Sequence, residues 1–99
     1  DCCETMADGL ATRVPFELPF PIIQEGVDEI VTVSEEELRD AIYQIYRTTH
    51  NVAEGAGASV LAAAKKFRRK LNGKQVVLIL TGGNIEARTF SDILTQHSI

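Results

Sequence analysis

The sequence contains one unbroken apolar run that stops at two glycines, Val76-Val77-Leu78-Ile79-Leu80-Thr81-Gly82-Gly83-Asn84. A strand with one face in water would alternate apolar and polar residues, whereas an unbroken run indicates burial on both faces. This is typical of a parallel strand inside an α/β sheet, where ligands bind at the carboxyl ends of the strands. The loop 81–84 is therefore a candidate binding loop, and the alternative is an ordinary strand-to-loop turn.

A second strand and a capped helix are predicted upstream of this run. Glu29–Val33 is rich in β-branched residues, which favours a strand. Ser34 and Glu37 then have the spacing of a capping box, which predicts that a helix begins there. The apolar positions that follow are three or four residues apart, as on one face of a helix, at Leu38, Ala41, Ile42, Ile45, Tyr46 and Thr49.

The remaining elements are predicted from glycines and prolines. The two glycines in Glu54–Ala58 predict that the helical pattern is interrupted there. A second helix is predicted from Ser59 to about Lys70, and Asn72-Gly73 is expected to end it. Short helices are predicted over Pro21–Gln24 and from Ser91 to Gln96. Ala7-Asp8-Gly9 has the composition of a turn.

This order of elements predicts an α/β fold, a partial three-layer sandwich with parallel strands joined by helical crossovers. Two strands are too few for a sheet that is covered on both faces. We therefore expect the neighbouring strands to come from another chain or from sequence outside these 99 residues.

Composition and charge exclude several classes of protein. The chain is long enough for one domain at most, is 44% hydrophobic and carries a net charge of -4. No apolar run approaches the ~20 residues of a membrane span, and no signal peptide is visible. Six of the ten basic residues lie between Lys65 and Lys74, where they are more typical of a helix C-terminus than of a nucleic-acid interface. We expect neither a membrane nor a nucleic-acid partner.

The residues that most often carry chemistry are sparse. Cys2 and Cys3 are adjacent, a spacing that disfavours a disulfide, and they are expected to be reduced thiols in the cytoplasm. His50 and His97 stand alone, so no metal site is expected. Glu54 lies just before the second helix, where its carboxylate either faces a ligand or is satisfied by backbone N–H groups.

Four segments together carry a resemblance to a known family. They are Thr5–Gly9, Asp28–Glu37, Glu54–Ala58 and Leu80–Asn84, in that order. This pattern resembles the C-terminal part of the threonine/serine dehydratases, which are pyridoxal-phosphate enzymes with the tryptophan-synthase-β-like large domain (fold type II). The resemblance implies that the Thr81 hydroxyl binds the pyridine nitrogen of pyridoxal 5'-phosphate. It also places Gly82, Gly83, Asn84, Glu54 and Gly55 at the cofactor, and Ala7, Asp8 and Gly9 on the substrate side.

The resemblance also implies an activity and an incomplete site. The reaction would be α,β-elimination of water from a serine- or threonine-like amino acid, giving a 2-oxo acid and ammonia, and a racemase remains open. The family's Schiff-base lysine and phosphate loop have no match here, so no catalytic residue is assigned. Residues 1–99 are expected to be a C-terminal portion of the catalytic domain that is inactive alone and needs the missing N-terminal portion or a second copy. The alternatives are a non-catalytic interaction or scaffold fragment, and a nucleic-acid binder that uses Lys65 to Lys74.

Overall fold

The structure, a computed structural model, describes residues 4–12 and 14–97. These residues form one short 3-10 helix, Asp8–Leu10, and five α-helices. The α-helices are α1 (Pro19–Gly26), α2 (Glu35–Thr49), α3 (Gly55–Lys66), α4 (Arg68–Leu71) and α5 (Ala87–His97). None of the helices in these two ranges has both the length and the apolar character to cross a bilayer.

The beginning of α2 confirms the predicted capping box. The Glu37 backbone N–H donates to the Ser34 hydroxyl at 3.1 Å, and the Ser34 N–H donates to the Glu37 carboxylate at 2.7 Å. Both bonds satisfy N–H groups that have no partner within the helix. The His50 N–H still donates to the Tyr46 carbonyl at 2.8 Å, and the left-handed backbone of His50 (φ 59°) then turns the chain out of the helix. The local sequence of α2 therefore fixes both of its ends.

The core lies where α2 packs against α3 and α5. Its largest fully buried side chains are Ile42 and Ile93, from α2 and α5. The other buried core residues are mostly alanines, Ala7, Leu38, Ala41, Ala53, Ala58 and Ala62. Small side chains let the helix backbones approach closely, so the core is compact but contributes little apolar area per residue.

The prediction for the second helix was wrong at its beginning and missed an interruption at Phe67, although the helical residues end at Leu71 as expected. The helix α3 begins at Gly55, inside the segment expected to break the chain, and ends at Lys66, where Phe67 leaves the helical conformation. Gly55 and Gly57 are buried against the backbone of other segments, so they permit close contacts instead of ending the helix. Four further residues form α4, and Gly73 then adopts the left-handed conformation predicted there (φ 77°).

Both short helices exist and are longer than predicted. The first begins at Pro19 instead of Pro21, because a proline in the first turn loses no helical hydrogen bond. The last begins at Ala87 instead of Ser91, because Phe90 already packs against the core beside Ile93. The predicted turn at Ala7–Gly9 leads into the 3-10 helix.

The two predicted strands form no β-ladder within the described ranges, so the parallel sheet is not present in this chain by itself. Residues 29–33 and 75–80 belong to no helix or strand. A strand is defined by backbone hydrogen bonds to a neighbouring strand, and neither segment makes such bonds with the rest of the described residues. Their apolar side chains are accordingly open to solvent, with Ile30 79%, Val77 87% and Ile79 69% exposed. The described residues therefore do not provide the burial on both faces that the sequence predicts.

Candidate functional site

Three separate segments meet at the N-terminus of α3. The Glu54 backbone N–H donates to the Gly82 carbonyl at 3.1 Å, which joins the helix start to the loop 81–84. On another side, Gly55 lies against the backbone of Met6 and Ala7. The predicted cofactor loop, the predicted acidic residue and the predicted substrate-side loop are therefore brought together by one helix end.

Glycines in the loop 81–84 make the first contact possible. A β-carbon at Gly82 would overlap the Glu54 carboxylate, and a β-carbon at Gly83 would overlap the Val52 carbonyl oxygen. Glu54 adopts extended backbone at the N-cap but makes no side-chain capping bond. Its half-buried carboxylate lies beside the loop and accepts no capping hydrogen bond from the N–H groups at the start of α3.

The substrate-side loop is held by backbone donors. The Ala7 N–H donates to the Thr5 hydroxyl at 3.1 Å, and the Met6 N–H donates to the Glu35 carboxylate at 3.0 Å. The second bond ties this loop to the first turn of α2. Ala7 is buried, whereas Asp8 and Gly9 are exposed. The loop is therefore fixed at Ala7 and accessible to solvent at Asp8 and Gly9.

A cleft of about 230 Å³ lies between these segments. Its lining comes from all three segments and from the start of α5, namely Thr5, Met6, Asp8, Glu54, Gly55, Asn84, Ile85, Glu86 and Thr89. Three of these side chains are acids and none is basic. Asp8, Glu54, Gly55 and Asn84 are predicted site residues that line the cleft.

The other predicted site residues lie around the cleft without lining it. Gly82 and Gly83 press against the segment 52–54, and Ala7 and Gly9 press against the first turn of α3. Thr81 is exposed, and its hydroxyl makes no side-chain hydrogen bond with the part of the chain that the structure describes. A hydroxyl that is free to donate or accept fits a ring nitrogen as partner.

Two lysines of the basic stretch 65–74 connect α3 to α2 and to the segment before it. Lys65 binds Asp40, and Lys66 lies 3.6 Å from the Glu37 carboxylate while donating to the Thr32 carbonyl at 3.0 Å. The Ser34 N–H, and to a smaller extent Lys66, hold the pKa of Glu37 below its ordinary value. Neither lysine lines the cleft.

Sequence reasoning missed several residues of this site. Gly57 touches the Gly82 backbone, and Thr5 and Thr89 line the cleft. The spacing of Gly55 and Gly57 was an available signal, because residues two apart in a helix face nearly opposite sides. The prediction of reduced thiols falls on residues 2 and 3, which lie outside the described residues.

The chain is similar to known enzymes over most of its length. The family model described as "Pyridoxal-phosphate dependent enzyme" matches residues 1–82. The chain is 39% identical to an L-threonine ammonia-lyase of Thermotoga maritima over 93% of its length, and 36% identical to a serine racemase of Schizosaccharomyces pombe over 97%. Over 84% of its length it also matches a solved threonine deaminase of T.th., with a TM-score of 0.77 and 41% identity.

These matches cover nearly all of this chain but only part of each relative. The chain spans 23% of the ammonia-lyase, 30% of the racemase and 30% of the solved deaminase chain. The region that matches the family model contains the helix end, the first two residues of the loop 81–84 and the substrate-side loop described above. The chain therefore belongs to the pyridoxal-phosphate dependent enzyme family.

Proposed function

We propose that this chain supplies one wall of the active site of a pyridoxal-phosphate-dependent hydroxy-amino-acid dehydratase. The observation that supports this most is the meeting of Glu54, the loop 81–84 and the loop 7–9 at one helix end, since the resemblance assigns those segments to one site. The bound cofactor would act as an electron sink for bonds at the substrate α-carbon.

The exposed hydroxyl of Thr81 would bind the pyridine nitrogen. A neutral hydroxyl does not hold a proton on that nitrogen as a carboxylate would, so the ring stays a weaker electron sink. Quick loss of a β-hydroxyl is then favoured over a long-lived carbanion. Gly82 and Gly83 keep the loop against the helix end, while Asn84, Glu54 and Gly55 border the cofactor from the cleft.

The substrate would enter from the side of Ala7, Asp8 and Gly9. A serine- or threonine-like amino acid loses water across Cα and Cβ, and the resulting enamine takes up water to give a 2-oxo acid and ammonia. The match to a serine racemase supports a second activity on the same substrates, inversion at the α-carbon. Both activities need an amine and a phosphate-binding loop from outside this chain, so the 99 residues alone are expected to be inactive.

We also propose that the complete fold is the three-layer α/β sandwich predicted from the sequence, a fold type II large domain of which residues 1–99 are the C-terminal portion. A groove of about 340 Å³ supports this proposal, because Val31 and Leu78 from the two predicted strands line it together with Val60, Ala63 and Phe67. Its walls are almost wholly apolar. Further strands from the N-terminal portion or a second copy would fill it, and the complete enzyme would be cytoplasmic.

A graft tests the proposed function. The matching 84% of this chain replaces the matching 30% of the solved threonine deaminase chain. The graft is expected to bind one pyridoxal phosphate per chain and to release 2-oxo acid and ammonia from L-threonine or L-serine. A parallel assay for D-serine separates racemisation from dehydration.

Two variants of the graft test the assignment of Thr81. Thr81→Val keeps the shape and removes the hydroxyl, and losing one hydrogen bond of about 0.5–1.5 kcal/mol should weaken cofactor binding by roughly 2- to 13-fold. Thr81→Ser keeps the hydroxyl and is the matched control. A folded graft that binds no cofactor would refute the function, and unchanged cofactor affinity in Thr81→Val would refute the role of Thr81. The interaction-module alternative predicts the first of these results.

A further inference from the structure

The first turn of α3 has two buried glycines that touch different loops. Gly57 lies against Gly82, and a β-carbon there would stand 2.6 Å from the Gly82 carbonyl oxygen and 3.1 Å from its nitrogen. Gly55 lies against Ala7, and a β-carbon there would stand 3.0 Å from both the Ala7 nitrogen and its α-carbon. Both neighbours are backbone atoms, which cannot turn aside as a flexible side chain can.

The spacing of the two glycines explains why they face different loops. Successive residues of an α-helix are about 100° apart around the axis, so positions 55 and 57 are separated by roughly 200°. One turn of helix thus stands between the loop 7–9 and the loop 81–84. Its width at the two glycines fixes how far each loop lies from the helix axis.

We infer that this turn is a two-sided spacer, in which Gly57 is a positioning residue for the cofactor loop and Gly55 is a positioning residue for the substrate-side loop. The inference rests on the proposed function for the identity of the two ligands. The contacts themselves do not depend on it. Gly57 is absent from the site that the sequence predicted, and Gly55 acquires a role on the substrate side in addition to its place at the cleft.

The displacements expected from added β-carbons follow from the same distances. Ordinary contact begins near 3.4 Å, so Gly57→Ala must move the Gly82 carbonyl by about 0.8 Å, whereas Gly55→Ala must move Ala7 by about 0.4 Å. The Gly82 carbonyl also accepts the Glu54 N–H, so Gly57→Ala strains that hydrogen bond as well. A misplacement of about 1 Å in a site can cost as much as 10²-fold.

The functional test compares the two variants in the graft. Gly57→Ala is expected to raise the dissociation constant of pyridoxal phosphate roughly ten-fold or more and to shift the absorption band of the bound cofactor, with a smaller rise in KM at saturating cofactor. Gly55→Ala is expected to show the reverse order, with KM rising more than the cofactor dissociation constant. Gly26→Ala is the control, because a β-carbon there meets nothing within 4 Å.

A second measurement separates this inference from the proposed function. Amide hydrogen exchange of the 99-residue chain, without cofactor, reports the hydrogen bond from Glu54 to Gly82. Faster exchange at Glu54 in Gly57→Ala than in Gly55→Ala supports the spacer even if the unmodified graft binds no cofactor. Equal exchange at Glu54 in both variants, or equal effects of both on cofactor dissociation and KM, would overturn the inference.

Discussion

Replacing Ile42 tests whether the packing of α2 on α3 and α5 holds this chain together. Ile42 is fully buried, and Ile42→Ala removes three carbon atoms. At about 0.8 kcal/mol for each buried methylene the transfer loss is about 2.4 kcal/mol. The cavity left behind raises the expected loss to about 3–4 kcal/mol. Ile42→Val removes one carbon and should cost about 1 kcal/mol, which leaves more of the chain folded for measurement.

The assay is urea unfolding of the 99-residue chain, followed by circular dichroism. Ile79→Ala is the matched control, because that side chain is 69% exposed and its loss should change the free energy of unfolding by less than about 0.5 kcal/mol. In the graft, where the proposed sandwich would cover Ile79, the same change should cost about 2 kcal/mol or more. Equal losses for Ile42→Val and Ile79→Ala in the isolated chain would refute this account of the core.

Three further substitutions test the ends of α2 in the same unfolding assay. Ser34→Ala removes the N-cap acceptor and should lower the free energy of unfolding by about 1 kcal/mol, whereas Ser91→Ala at an exposed position of α5 should change it little. The pKa of Glu37 is lowered in the folded state, so its contribution is present above its ordinary value near 4.5 and is lost as the pH falls through the folded pKa. In Glu37→Gln the free energy of unfolding should therefore fall less steeply as the pH is lowered below about 4.5. If Glu37→Gln and the control Glu36→Gln show the same pH dependence, the role of Glu37 is contradicted. His50→Gly relieves a left-handed backbone (φ 59°) but frees the unfolded chain, and a net gain of about 0.5 kcal/mol is expected. A lower free energy of unfolding in His50→Gly would show that the His50 side chain stabilises the fold by more than its left-handed backbone destabilises it.

The local signals in the sequence predicted α2 almost completely. The capping box of Ser34 and Glu37 involves residues three apart, and the helix face of Leu38, Ala41 and Ile42 is buried as its spacing indicates. Such features depend on neighbours in sequence, so nothing distant can override them easily. The resemblance implies that Glu54 and the loop 81–84 both lie at the cofactor. In the structure the Glu54 N–H donates to the Gly82 carbonyl, and the role of both at a cofactor stays a prediction.

The errors arose where a residue's role depends on distant contacts. From the neighbouring sequence alone, Gly55 and Gly57 predict an interruption of the helix. In the structure they allow close contact with Ala7 and Gly82, which are 48 and 25 residues away along the chain respectively. The apolar run 76–80 predicts a buried strand, but a strand exists only with a paired neighbour. The described residues do not provide that neighbour, so the sheet stays a proposal while the helices are observed.

The proposed function depends most on one contact, between the Thr81 hydroxyl and the ring nitrogen of pyridoxal phosphate. A crystal structure of the graft with bound cofactor tests it most directly, because it measures one distance between two named atoms. The Thr81 hydroxyl oxygen is expected within hydrogen-bond reach of the pyridine nitrogen, at about 2.7–3.2 Å. A bound cofactor whose ring nitrogen faces solvent or any other residue would contradict it.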